Sequence, residues 1–309
     1  MSKGVVLTSP ASRVGPDAQR VLTSAGVWFA AARPRTLAAA VSPVAVGVGV
    51  ARSTGEVCAW RGVLCLVVAL SVQIGANYAN DYGDGIRGTD ERRVGPVRLV
   101  AAGLASPEAV RRAAFVSFGV AAISGAVIAI STSPWLLAVG AASIAAAWYY
   151  TAGPHPYGYA GLGELFVFVF FGLVAVLGTV YATSGHVPAL AWLAAAPVGF
   201  LTVSLLVVNN LRDIPSDAEV GKRTLAVRLG AKRTRAFYAS LVVGAFALLG
   251  AIAAYRPLAL IALAAMVAAV RPMRTVLSRA EGRDLVPALA TTGALQLLFA
   301  GLLAFGVAL

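Results

Sequence analysis

Apolar runs of about 20 residues follow one another along this chain, each long enough to cross a hydrocarbon core of ~30 Å as a helix. Within lipid, every backbone N–H and C=O must find its partner inside the protein, so such runs fold as a helix bundle. Of the 309 residues, 59% are hydrophobic and 12% charged, about half the charged share of a soluble domain. The expected fold is an all-α, polytopic membrane protein with about nine transmembrane helices around a central cavity. The spans read as 26–50, 62–80, 110–131, 134–152, 162–182, 189–211, 234–254, 257–271 and 286–307.

Residues 1–24 mix Lys3, Arg13, Asp17 and Arg20 with small polar residues and contain no apolar h-region. They are expected to be a cytoplasmic tail rather than a cleaved signal peptide, and 25–309 to form the transmembrane domain. All but three of the 25 Lys and Arg residues, namely Arg52, Arg61 and Arg256, fall on the side of the N-terminus. That asymmetry sets this side as cytoplasmic, in a cell (plasma) membrane. The net charge of +12 is thereby explained by topology and membrane lipid, and no nucleic acid is expected as a partner. Cys58 and Cys65 suggest neither a disulfide framework nor a thiolate site, and His155 and His186 lie too far apart to read as a metal pair.

Against this apolar background the carboxylates are concentrated. Seven of the 13 acidic residues lie in 81–91 and 213–219. The first stretch is Asn77-Tyr-Ala-Asn80-Asp81-Tyr-Gly-Asp84, followed by Asp90; the second is Asn209-Asn-Leu-Arg-Asp213-Ile-Pro-Ser-Asp217. Carboxylates at the ends of apolar segments are costly and mark a working site by default. Each stretch closes an apolar span and runs into a glycine-containing basic loop, Gly95-Pro-Val-Arg98 and Gly221-Lys-Arg-Thr224, an internal echo suggesting pseudo-symmetry about one cavity.

Residues at i and i+4 share a helix face, so Asn80 aligns with Asp84 and Asn209 with Asp213. Pro215 is expected to end or kink the second helix, leaving Asp217 to reach in from a loop. Oxygen donors without His or Cys suit a hard cation such as Mg2+, and Mg2+ favours few carboxylates plus phosphate oxygens. A phosphorylated substrate is the natural bridge between the clusters, with Arg87, Arg98, Lys222, Arg223 and Arg228 completing its neutralisation. Arg92 and Arg93 read as topology determinants.

The segments Asn80-Asp-Tyr-Gly-Asp84-Gly-Ile-Arg-Gly-Thr-Asp90 and Arg212-Asp-Ile-Pro-Ser-Asp217, the latter running into Gly221-Lys-Arg-Thr-Leu-Ala-Val-Arg-Leu-Gly230, resemble the two aspartate-rich motifs of the UbiA superfamily of intramembrane prenyltransferases. Further segments resemble its 1,4-dihydroxy-2-naphthoate branch, which serves menaquinone biosynthesis. They are Ala32-Arg-Pro-Arg-Thr-Leu37, Gly95-Pro-Val-Arg-Leu-Val100, Thr151-Ala-Gly-Pro-His-Pro-Tyr157 and Gly161-Leu-Gly-Glu164. The superfamily's first motif usually places a third carboxylate four residues after the second. Gly88 stands there in this chain and Asp90 follows late, a spacing common in the naphthoate branch.

The resemblance implies a Mg2+-dependent transferase using a polyprenyl diphosphate and 1,4-dihydroxy-2-naphthoate. It assigns Asn80, Asp84, Asn209, Asp213 and Asp217 to the Mg2+–diphosphate site, with Asp81 or Asp90 in support. Lys222, Arg223 and Arg98 are expected on the diphosphate, Arg33 and Arg35 on the acceptor carboxylate, and Tyr149 or Tyr150 beside the allylic cation. Glu164 reads as a carboxylate at a helix N-terminus.

Overall fold

The computed structural model describes residues 24–55, 57–89 and 98–309. Among these residues all regular structure is helical, without strands. A short helix α1 (Ser24–Ala31) precedes a turn and α2 (Ala38–Arg52), and the two are bent by 52°. The bend falls between Thr36 and Ala38, just past Arg33, whose φ of 54° is left-handed, and Pro34. The main helices are α3 (Ala59–Gly85), α4 (Pro107–Ser131), α5 (Leu136–Tyr149), α6 (Gly163–Val167), α7 (Ala175–Ser184), α8 (Ala189–Glu219), α9 (Leu225–Ala253), α10 (Met266–Leu277) and α11 (Val286–Ala308). Helices α6 and α7 form one rod through a π-helical stretch, Phe168–Val174.

Seven of these rods are long and apolar enough to cross a bilayer, or eight with the bent α1–α2 pair. The protein is therefore a multi-pass membrane protein. The expected count of about nine is high by one or two, because the first span is the bent α1–α2 pair and the fourth, 134–152, is only the 14-residue α5. Such a helix rises about 21 Å, short of the hydrocarbon core.

Helix α4 shows why these sequences settle in lipid. Val110, Ala114, Phe118 and Ala121 face inward and are buried, while Val116, Ile123 and Ile130 are 67%, 70% and 83% exposed. Both faces are apolar, so burial is chosen by fit rather than by polarity. Small residues permit the tightest fits. A Cβ on Gly49 would lie 2.4 Å from the Ala304 carbonyl oxygen, and one on Gly172 would lie 2.8 Å from Gly199 Cα. Helix α8 runs through the middle, and its Val198, Leu201, Val203 and Val208 join the main core with residues of α2, α9 and α11.

The two faces of the bundle have distinct fastenings. On one, Arg61 donates to Ser131 O at 2.6 Å and Ala182 O at 3.4 Å, and Arg256 donates to Ser53 O. On the other lie both aspartate-bearing helix ends and the loop between α5 and α6. This second face is called the motif face below.

Candidate active site

Helices α3 and α8 end in the same way. Gly88 (φ 69°) and Gly221 (φ 75°) take the left-handed conformation that stops each helix, which glycine adopts without steric cost. Past Gly88, the N–H of Thr89 donates to Asp84 O at 3.1 Å; past Gly221, the N–H of Lys222 donates to Asp217 O at 2.8 Å. A second bond closes each turn, Gly88 N–H to Gly85 O and Gly221 N–H to Ala218 O, both at 3.2 Å. Gly88, which breaks the usual carboxylate spacing, is thus the stop residue of α3.

Contrary to the expectation from Pro215, α8 continues through that proline to Glu219, so Asp217 is helical and stays in register with Asp213. A proline forfeits one helical hydrogen bond, yet the chain beyond is held by the glycine-stopped turn. That turn folds Lys222 back towards the bundle. Its Nζ lies 3.7 Å from Asp84 Oδ2 and 3.8 Å from Asp217 Oδ1, so one ammonium spans carboxylates from both motifs.

Each motif is also gathered by one arginine. Arg98 donates to Asn80 Oδ1 at 2.9 Å and lies 3.8 Å from Asp84 Oδ2. Arg212 donates to both Asp213 oxygens at 2.7 Å and to Asn209 Oδ1 at 2.9 Å. All of Asp84, Asp213, Asp217, Lys222, Arg98 and Arg212 are buried. Charges so placed interact through a poorly screening medium, and the cations offset the cost of burying the carboxylates.

The loop between α5 and α6 completes the motif face. Tyr159 donates to Asp84 Oδ1 at 2.7 Å, and Lys222 Nζ stands 4.9 Å from its ring centre. Burial, with the Asp84 carboxylate beside it, pushes the Tyr159 phenol above its ordinary value of 10, so it remains a donor. Arg87 fixes this loop by donating to Thr151 O at 2.8 Å and to Gly153 O. Sequence reasoning missed Tyr159 and gave Arg212 no role. The one available signal for Tyr159 was an aromatic set in a Gly/Pro-rich stretch between the two motifs.

Below the charged groups lies a mostly apolar cavity of about 1620 Å³. Its polar end carries Arg33, Arg35, Asn80, Arg98, Asn209, Arg212 and Arg283. Arg33 also donates to Asn80 Oδ1 at 3.5 Å. The walls come from α2 to α5, the α6–α7 rod and α8.

Several expected residues stand elsewhere. Asp81 is not aligned with Asp84: its two oxygens accept from Leu99 N–H at 2.8 Å and Val100 N–H at 3.2 Å, which fixes the basic loop. Tyr149 is half exposed and does not line the cavity, whereas Tyr150 does. Arg223 is exposed, and its backbone rather than its guanidinium joins the site, donating to Tyr159 O at 3.0 Å. Asp90, Arg92 and Arg93 lie outside the described residues, as do residues 1–23 of the expected tail. Glu164 is buried and accepts from Asn210 at 2.9 Å, which ties α6 to α8.

No group of three or more His, Cys, Asp and Glu side chains able to hold a metal occurs among the described residues. The donors that do converge are carboxylate and amide oxygens, the chemistry a hard divalent cation accepts. Lys222, placed between Asp84 and Asp217, marks where positive charge is favoured.

Comparison with known proteins sets this geometry among relatives. The chain is 49% identical to the 1,4-dihydroxy-2-naphthoate octaprenyltransferase of Mycobacterium tuberculosis over 92% of its length and 99% of the relative's. It is 46% identical to that of Mycobacterium leprae, over 90% and 95%, and 39% identical to that of Escherichia coli, over 70% and 73%. Among solved structures, the apo UbiA homolog from Aeropyrum pernix K1 aligns with a TM-score of 0.66 at 17% identity, over 85% of this chain and 94% of that one. The UbiA homolog from Archaeoglobus fulgidus bound to DMAPP and Mg2+ gives 0.57 at 17% identity, over 91% and 98%. Residues 40–288 match the model of the UbiA prenyltransferase family. With two aspartate motifs meeting above an apolar cavity and these relatives spanning nearly its whole length, this chain belongs to the UbiA prenyltransferase family.

Proposed function

We propose that the protein transfers a polyprenyl group from a polyprenyl diphosphate to 1,4-dihydroxy-2-naphthoate, releasing diphosphate and CO2 and giving demethylmenaquinol. One observation carries the reading: carboxylates from both motifs meet at Lys222, at the head of an apolar cavity. The naphthoate acceptor follows from the relatives that share almost the full length of the chain.

The cavity takes the prenyl tail, and the charged end takes the diphosphate. Asn80, Asp84, Asn209, Asp213 and Asp217 are the residues that would hold Mg2+. When bound, that ion supplies neutralisation of the charge growing on the departing diphosphate. Lys222 and Arg98 bring the same sign of charge from the protein, in a site whose burial makes it effective. The apolar walls exclude water from the allylic carbon, which would otherwise be hydrolysed. Arg33 and Arg35, on the cavity rim beside α1, suit the carboxylate of the acceptor, which leaves as CO2 when the prenyl group takes its carbon. Tyr150, on the wall, offers its ring face to the cation. The catalytic domain is taken as residues 25–309, in the cell membrane. Its motif face lies towards the cytoplasm, the side that holds all but three of the 25 Lys and Arg residues.

The test is transfer by the purified protein. Incubation with a polyprenyl diphosphate, 1,4-dihydroxy-2-naphthoate and Mg2+ should yield a prenylated naphthoquinol by mass spectrometry and one CO2 per product. Transfer to 4-hydroxybenzoate with none to the naphthoate would overturn the acceptor.

A further inference from the structure

The cavity's far end is built differently from its charged end. Residues Val44, Cys65, Ile128 and Ala182, from α2, α3, α4 and α7, pack together there and line the space. Along α3, Cys65 lies 15 residues from Asn80, or about 22 Å at the rise of a helix. The cavity thus runs from the motif face most of the way across the bundle and ends among apolar side chains.

Three glycines line this cavity: Gly125 on α4, Gly140 on α5 and Gly178 on α7. Glycine inside a helix is destabilising relative to alanine, and so calls for a reason. At Gly49 and Gly172 the reason is close helix packing. At these three positions it is not. A Cβ built on Gly140 or Gly178 meets nothing within 4 Å, and one on Gly125 meets only Val68 Cγ2, at 4.0 Å. All three also lie away from the charged end. Helix α4 leaves the motif face at Pro107 and the α6–α7 rod at Gly163, so Gly125 and Gly178 are 18 and 15 residues along their helices. Helix α5 runs the other way, and Gly140 is near its start.

We infer that Gly125, Gly140 and Gly178 keep the deep end of the cavity open and so set the longest prenyl tail the enzyme accepts. The inference rests on the function proposed above and adds to it the specificity for donor length. A short donor fills only the space next to the diphosphate. A long one must reach past the three glycines to lie along the full depth of the cavity. A side chain added at any of them takes up tail volume without touching the charged groups.

The experiment compares Gly125→Leu, Gly140→Leu and Gly178→Leu with wild type, using geranyl and octaprenyl diphosphate as donors to the naphthoate. Two further glycines with open space, Gly250 and Gly301, do not line the cavity and provide matched controls as Gly250→Leu and Gly301→Leu. Overfilled apolar space is resisted strongly, so kcat/KM for octaprenyl diphosphate should fall about tenfold or more in the cavity variants while that for geranyl diphosphate stays within about twofold. Unchanged geranyl transfer also reports that the variant is folded. The inference is overturned if the ratio of the two donors stays at the wild-type value in all three cavity variants, or if the controls shift it equally. Should a leucine variant be inactive with both donors, the corresponding Gly→Val variant decides on the same ratio. Absence of transfer by wild type from either donor would instead remove the functional reading itself.

Discussion

Asp84 and Asp217 occupy the same station at the ends of two helices. Each gives its backbone carbonyl to an N–H beyond a left-handed glycine, and each turns its carboxylate to Lys222. The aspartates are held by backbone geometry first and by charge second. Replacing either glycine with alanine should therefore act at a distance. Gly221→Ala forces a Cβ into φ 75°, which costs about 1 kcal/mol and displaces Lys222. We expect a lower melting temperature in detergent, and a larger proportional loss in transfer rate than in stability.

The paired carboxylates should be indispensable without being structural keystones. Asp84→Asn and Asp213→Asn keep size while removing charge and one of the two acceptor oxygens. Each is expected to lower kcat by about a hundredfold or more, as expected when a charge acting on the transition state is lost, while the protein still elutes as a folded species. Arg212→Lys should behave similarly, since a lysine cannot make the two parallel bonds to Asp213. Full activity in Asp84→Asn and Asp213→Asn would end the reading of the two motifs as one site.

Alkaline pH tests the loop between α5 and α6. Burial raises the phenols of Tyr157 and Tyr159 above their ordinary value of 10. A phenol whose folded pKa exceeds its unfolded one stabilises the native state fully below the unfolded value, and this contribution fades as pH rises above it. Wild-type stability should thus be insensitive to these groups up to about pH 9 and decline beyond about pH 10. The Tyr157→Phe, Tyr159→Phe double variant should show a shallower decline above about pH 10 when melting is followed across the range. An identical slope would argue against their burial.

Two glycines with opposite surroundings give a stability test free of catalysis. Gly49→Ala drives a Cβ to 2.4 Å from the Ala304 carbonyl oxygen, and the helices must part, at a cost of about 1–3 kcal/mol. Gly119→Ala meets nothing within 4 Å and should be neutral or stabilising by about 0.5 kcal/mol through helix propensity. Thermal unfolding of both variants in one detergent checks the contrast.

Much of this arrangement is legible in the sequence because helix periodicity is a local property. The apolar runs specify the rods, and the i, i+4 spacing puts Asn80 with Asp84 and Asn209 with Asp213. What was not legible depends on groups that only tertiary contacts bring in. The carboxylate of Asp81 is occupied by the amides of Leu99 and Val100, 18 and 19 residues on, and no periodicity announces that. Tyr159 meets Asp84 across 75 residues, through a loop positioned by Arg87. Pro215 misled for a different reason. Its lost hydrogen bond is a local cost, offset at this helix end by the Gly221 turn and by the contact of Lys222 with Asp217. Tyr149 and Tyr150 are neighbours, and only the angle at which α5 ends decides which of them faces inward.

The π-helical stretch Phe168–Val174 also constrains how this wall can change. A wider turn holds surplus backbone that an ordinary α-helix has no place for. Deleting a single residue there would let the rod relax to regular winding with the residues on either side kept on nearly the same faces, whereas adding one would swing everything on its motif-face side by about 100°. With such an insertion Phe166 would leave the cavity wall, and Glu164 would lose Asn210. A one-residue deletion in this segment is therefore expected to be better tolerated than a one-residue insertion.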